Sequence, residues 1–159
     1  MKKMLVAVDD SKGAMKAVEY VGRHFGGEGD LQITLVHVLP NLPAIFWDEG
    51  HILTDAEKKD RKKVVDLWLA KQKKKIDPVL KKAMKSLTQK GIDPDGILTT
   101  FVSDSTDTSE SLLEAAKDGG YQTIVLGRRG ASAGKRPHLG GVTGKVAALA
   151  SGLAVTIVA

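Results

Sequence analysis

Near the carboxyl end of this chain lie five residues whose types and spacing suit a phosphate: Gly127, Gly130, Gly140, Gly141 and Thr143. Ile124, Val125 and Leu126 just before them read as a buried strand, because parallel strands covered on both faces need near-continuous apolar residues. Gly127 and Gly130 remove the Cβ at that strand's carboxyl end, so backbone N–H groups can approach a ligand closely. Gly140 and Gly141 open a helix running from Val142 to about Ala150, whose free N–H groups and positive dipole end suit an anion. Arg128, Arg129, Lys135 and Arg136 add four cations to the same segment, which favours a polyphosphate.

Other spellings in the chain do not survive inspection. Gly130-Ala-Ser132-Ala-Gly134 has the letters of a nucleophile elbow, but no helix follows at once and no Asp or Glu follows Asp118, so His138 completes no triad. Gly134-Lys135 and Gly144-Lys145 lack the earlier glycine and the following Ser or Thr of a P-loop, and no Gly-x-Gly-x-x-Gly occurs. His24, His37, His51 and His138 have no metal-ligand spacing, and His37 reads as a satisfied core histidine.

The elements that must position the glycines follow from the periodicity. Met4 to Val8 is a first strand, ended by Asp9-Asp10-Ser11, and Ser11 caps a helix with Ala14, Val18, Val21 and Phe25 on one face. Gly26-Gly27 stops it, Leu31 to Val38 is a second strand, and Pro40 and Pro43 end that. Thr54-Asp-Ala-Glu57 is a capping box opening one long helix or two, through about Lys90. Val64, Val65, Leu67, Trp68, Leu69, Ile76, Val79, Leu80, Met84 and Leu87 form its apolar stripe, and Asp77-Pro78 is expected to kink or break it. Ile97 to Val102 is a third strand. Asp107-Thr-Ser-Glu110 caps a helix with Leu112, Leu113 and Ala116 inward, and Leu153 to Val158 is the last strand.

Strand and helix alternating to a final strand call for a parallel sheet with right-handed crossovers. The fold class is α/β: three αβα layers around a doubly wound, five-stranded parallel sheet of order 3-2-1-4-5, a single domain over residues 1–159. The crevice then lies between strands 1 and 4, which places Asp9 beside Gly127 where open sheets bind ligands. Asp9 and Asp10 have the alternative of merely capping the turn; the glycine motif favours the site.

These residues resemble the universal stress protein family, whose nucleotide-binding members carry Gly-x2-Gly-x9-Gly followed by Ser or Thr. Gly127, Gly130 and Gly140 match that spacing, while Gly141 stands where the family supplies a hydroxyl to phosphate; Val142 and Thr143 match again. The resemblance covers essentially the whole chain. It implies ATP or AMP as ligand, with or without Mg²⁺. Asp9 goes to the adenine, Val38 to the base or ribose pocket, and Ala7 and Val8 lie alongside. The backbone around Gly127–Gly130 would hold the ribose and α-phosphate, with Leu126 and Arg129 as further nucleotide-binding positions, and Gly140, Gly141, Val142 and Thr143 would cradle the outer phosphates through N–H groups, helped by the Thr143 hydroxyl. It also implies a homodimer through strand 153–158, where Val155 and Ile157 lie on a free edge.

Composition is consistent with this and excludes much else. The 159 residues suffice for one real core. There is no cysteine, hence no disulfide framework or thiol chemistry. The apolar amino terminus meets Asp9 and Asp10 too soon for a signal peptide or a membrane span, so a cytoplasmic protein without membrane association is expected. Net charge is +5 and the pI about 9.4. Thirteen of the 24 basic residues fall in 54–90 against five acids. They are lysine-rich and lack interleaved aromatics, which favours a solvated helix face over specific nucleic-acid binding. Phe46-Trp47 leaves three readings open, a lid over the nucleotide, a partner contact or a packed loop covering the sheet; packing is the commonest fate of such aromatics, and no function is assigned to the pair. The expected function is a nucleotide-biased regulatory protein of stress response with slow or no hydrolysis, because no base or metal can be placed against a γ-phosphate. The alternatives are a nucleotide-independent homodimeric interaction module on the same fold, favoured by Gly141, and a weak ATPase.

Overall fold

The computed structural model describes residues 1–43, 53–103, 106–130 and 138–159. Among them, β1 (Lys2–Ala7), β2 (Leu31–Val38), β3 (Ile97–Val102), β4 (Thr123–Gly127) and β5 (Ala154–Val158) alternate with α1 (Lys12–Phe25), α2 (Asp55–Gln89), α3 (Thr108–Asp118) and α4 (Gly141–Leu149). Every strand pair is parallel and the order is β3-β2-β1-β4-β5, the expected topology. In register, Val6 lies beside Leu35 on one side and Val125 on the other.

Both faces of the sheet are covered, which is why its central strands read as unbroken apolar runs. Met4, Val6, Ile33, Leu35 and Val125 pack with α1 and α2. Their alternate neighbours Leu5, Val36, Ile124 and Leu126 pack with α3 and α4. Each fully buried side chain of this kind contributes roughly 1.5–3 kcal/mol relative to exposure. α1 starts where Ser11 Oγ accepts from Ala14 N at 3.1 Å, and it buries Ala14, Ala17, Val18 and Val21.

Of the alternatives for α2 the structure takes the single long helix: Pro78 lies inside it and does not break it. Pro78 has no N–H to offer the Lys74 carbonyl four residues before it, and both residues are exposed. Meanwhile Ile76, Leu80, Ala83 and Leu87 hold the opposite face against the core. The stripe expected upstream does not continue that burial: no residue of 55–75 is buried, and Val64 and Leu67 are 47% and 72% exposed. Length explains this. Thirty-five residues span about 52 Å as helix, whereas the eight residues of β2 span about 26 Å. Lys73 Nζ lies over the Phe101 ring, 5.3 Å from its centroid, near the carboxyl end of β3. The turns before Lys73 therefore run past the sheet at its carboxyl edge.

Candidate functional site

At that same edge, between the ends of β1 and β4, opens a cavity of about 1060 Å³. It stands at the upper end of small-ligand cavities, roughly 300–1,000 Å³. All twelve residues singled out from sequence line it: Ala7, Val8, Asp9 and Val38 from β1 and β2, Leu126, Gly127, Arg129 and Gly130 from β4 and its loop, and Gly140, Gly141, Val142 and Thr143 at the start of α4. The doubly wound topology brings them together, because β1 and β4 are neighbours whose following helices leave on opposite faces.

The glycines have different reasons for lacking a side chain. A Cβ on Gly127 would collide with the backbone of Gly13, and one on Gly13 with the Arg129 carbonyl. The first turn of α1 is thus seated directly on the end of β4. At Gly140 a Cβ would come within 3.3 Å of Arg129 Cα, where Gly140 N donates to Arg128 O at 3.0 Å and closes the loop on its own beginning. At Gly130 it would stand 2.9 Å from Asp9 Oδ2. Only Gly141 of the four faces open space, with nothing within 4 Å of a Cβ there. Close packing of the chain on itself therefore demands Gly127 and leaves little room at Gly140, whatever the cavity holds.

Asp9 caps the turn and also lines the cavity. Its Oδ1 accepts from Ser11 N at 3.0 Å, an Asx turn into α1, while the residue is half-buried in the cavity wall. Val8 turns its side chain into the core, and its carbonyl accepts from His37 Nδ1 at 2.7 Å. His37 is satisfied as expected, yet it also lines the cavity. The Thr143 hydroxyl is buried and donates to Gly127 O at 2.9 Å. Its single proton ties α4 to the end of β4, so its contribution is to hold the cradle's shape. Gly140 caps α4 with no side-chain hydrogen bond, leaving the first N–H groups of the helix to solvent or an anion. Arg129 Nε donates to His138 O at 3.4 Å, which sets one cation beside that helix start.

The cavity has a further wall that sequence reading missed: Thr106 and Thr108 at the start of α3, Leu112, and Leu39 to Asn41 after β2. The signal available was topological, since every helix following a strand begins at this edge. Asp107 joins the two walls. Its carboxylate caps α3 by accepting from Ser109 and Glu110 N–H, and it pairs with Lys145 of α4. The Lys145 ammonium and those N–H groups hold its pKa down to about 2, from an ordinary 3.8, and Asp107 in turn raises that of Lys145. Ser132, Gly134, Lys135, Arg136, Asp104 and Phe46-Trp47 lie outside the described residues. Among the described residues no helix is long and apolar enough to cross a membrane.

Comparison with known proteins places this geometry. The model of the universal stress protein family matches residues 1–158. Universal stress protein YxiE of Bacillus subtilis is 25% identical over 156 residues, covering 94% of this chain and 93% of that protein. Among solved structures, hypothetical protein MJ0577 superposes with a TM-score of 0.73 at 22% identity, covering 99% of this chain and 94% of that one. A universal stress protein in complex with cAMP gives 0.62 at 18% identity, covering 99% and 96%. The universal stress protein of Archaeoglobus fulgidus in complex with dAMP gives 0.57 at 14%, covering 100% and 98%.

Proposed function

This chain belongs to the universal stress protein family, and from that premise we propose that it binds an adenine nucleotide, ATP or AMP, between the ends of β1 and β4. It acts as a nucleotide-biased regulator in stress response, with slow or no hydrolysis. One observation carries the reading: the twelve positions assigned from sequence, scattered over 137 residues, line a single cavity of nucleotide size that ends on the uncapped start of α4. Two fold neighbours are nucleotide complexes, with cAMP and dAMP. In this chain Asp9 and Val38 would face the base and ribose. The N–H groups at Gly130 and Gly141–Thr143 would meet phosphate oxygens, with Arg129 nearby. Mg²⁺ would arrive with the triphosphate and spread its charge. The protein acts in the cytoplasm as a homodimer paired through β5.

Calorimetric titration with ATP and with AMP, with and without Mg²⁺, tests the reading beside mass analysis of nucleotide released from freshly purified protein. Binding that is lost in Gly130→Val, whose side chain would press on Asp9, supports it. Absence of binding at millimolar ATP sinks it. The second reading, a nucleotide-independent interaction module, then takes over, and the glycine contacts favour it specifically: Gly13 and Gly127 are required by packing alone.

A further inference from the structure

Two surfaces outside the lining of the nucleotide cavity are complementary in charge and pitch. The first is the overhanging half of α2. Residues 55–75 hold nine Lys or Arg against four acids, and Leu67 is the most exposed large apolar side chain of the described residues, with Val64 beside it. Lys63, Lys71 and Lys74 stand four residues before, four after and seven after Leu67, on the same side of the helix. Among the described residues neither Lys71 nor Lys74 forms an ion pair, and Lys63 has only a loose one to Asp60 at 3.8 Å.

The second surface is a groove of about 610 Å³ on the opposite layer, between α3 and the end of α4. Its floor is apolar: Leu113, Tyr121 and Leu153 are half-buried, and Leu149 is 55% exposed. Its wall carries Glu110, Glu114 and Asp118, all exposed, at four-residue steps along α3, with the exposed Lys117 among them, so that three carboxylates stand against one cation. From Glu110 to Asp118 is about 12 Å of helix rise, as it is from Lys63 to Lys71. Lysines flanking an apolar knob thus match carboxylates flanking an apolar floor.

We propose that the α3–α4 groove docks the basic amino-terminal half of α2 from a second copy of this chain. Leu67 enters between Leu113 and Leu149, and Lys63, Lys71 and Lys74 face Glu110, Glu114 and Asp118. The surface of one helix half in a shallow groove is small, so the association is weak, roughly micromolar or weaker, and its charge makes it salt-sensitive. Because the two surfaces differ, the contact is heterologous and can extend beyond a dimer.

Sedimentation velocity across a concentration series tests this, at about 0.05 M and about 0.5 M NaCl. Wild type is expected to gain mass with concentration at low salt and to lose that gain at high salt. The wall reversal Glu110→Lys/Glu114→Lys/Asp118→Lys abolishes the gain, as does the helix reversal Lys63→Glu/Lys71→Glu/Lys74→Glu, and mixing the two variants restores it. Leu67→Asp, at an exposed position, abolishes it without touching the acids. Thermal melts matching wild type show that each variant is folded. A gain that survives either reversal overturns the proposal. So does a wild type that gains no mass, including one whose α2 instead binds anionic vesicles of phosphatidylserine and phosphatidylcholine.

Discussion

A side chain added at Gly141 meets nothing, whereas one added at Gly127 meets the backbone of Gly13. Two substitutions separate the ligand's demand from the fold's. Gly141→Ser restores a hydroxyl at the first turn of α4, beside the N–H groups proposed to hold phosphate. One added hydrogen bond to a charged group there is worth about 1 kcal/mol or more, so Kd for ATP should fall roughly five- to tenfold by calorimetry. Stability should hold or rise slightly, because a glycine in helical conformation is being replaced. An unchanged Kd would mean that no phosphate reaches this turn. Gly127→Ala acts the other way: it forces α1 off β4 and should lower unfolding free energy by about 1–3 kcal/mol in urea, with or without nucleotide. Sequence could mark both glycines but not tell them apart. The reason for Gly127 is Gly13, which sits 114 positions away and becomes a neighbour only after folding.

Among the elements, α2 and α3 give the clearest tests. Pro78 has no N–H to offer the Lys74 carbonyl, and both residues are exposed, so Pro78→Ala should add a hydrogen bond without repacking anything. A gain of about 1–3 kcal/mol in urea denaturation is expected. The legibility of α2 was uneven for a physical reason. Its capping box and its buried residues Ile76, Leu80 and Leu87 are local patterns that a periodicity exposes. Where the helix outruns the sheet is set by strand length and crossover geometry, and Val64 and Leu67 look no different in sequence from residues that are covered. At α3, Asp107 both caps the helix and holds Lys145. Its folded pKa lies below its unfolded value, so its contribution is present above about pH 4 and is lost as pH falls towards 2. Lys145, raised, loses its share only in strong alkali. Asp107→Asn keeps the cap and removes the charge, so its melting temperature should depend less on pH between 4 and 2 than that of wild type. Asp107→Ala removes both and should melt lower than Asp107→Asn at pH 7.

For the molecule as a whole, the open question is which edges and faces it offers to other copies. Ala154 N donates to Gln122 O and Arg128 N donates to Val158 O, so alternate residues of β5 from Ala154 turn their backbone groups inward to β4. The groups of Val155 and Ile157 therefore point outward along the free edge, where a β5 dimer would pair. Ile157→Pro removes an N–H that no strand of this chain uses. Proline is tolerated at such an edge position, so the variant should fold and yet lose the β5 dimer in sedimentation at high salt. The docking of α2 into the α3–α4 groove reaches Leu153, just before β5, but pairs with no edge strand. Its salt-sensitive gain in mass should then persist in Ile157→Pro, starting from the monomer. If Ile157→Pro removed both, the groove contact would depend on the dimer and require two copies to present each surface. If it removed neither, the dimer would have to be sought away from β5, and the free Val155–Ile157 edge would need another partner.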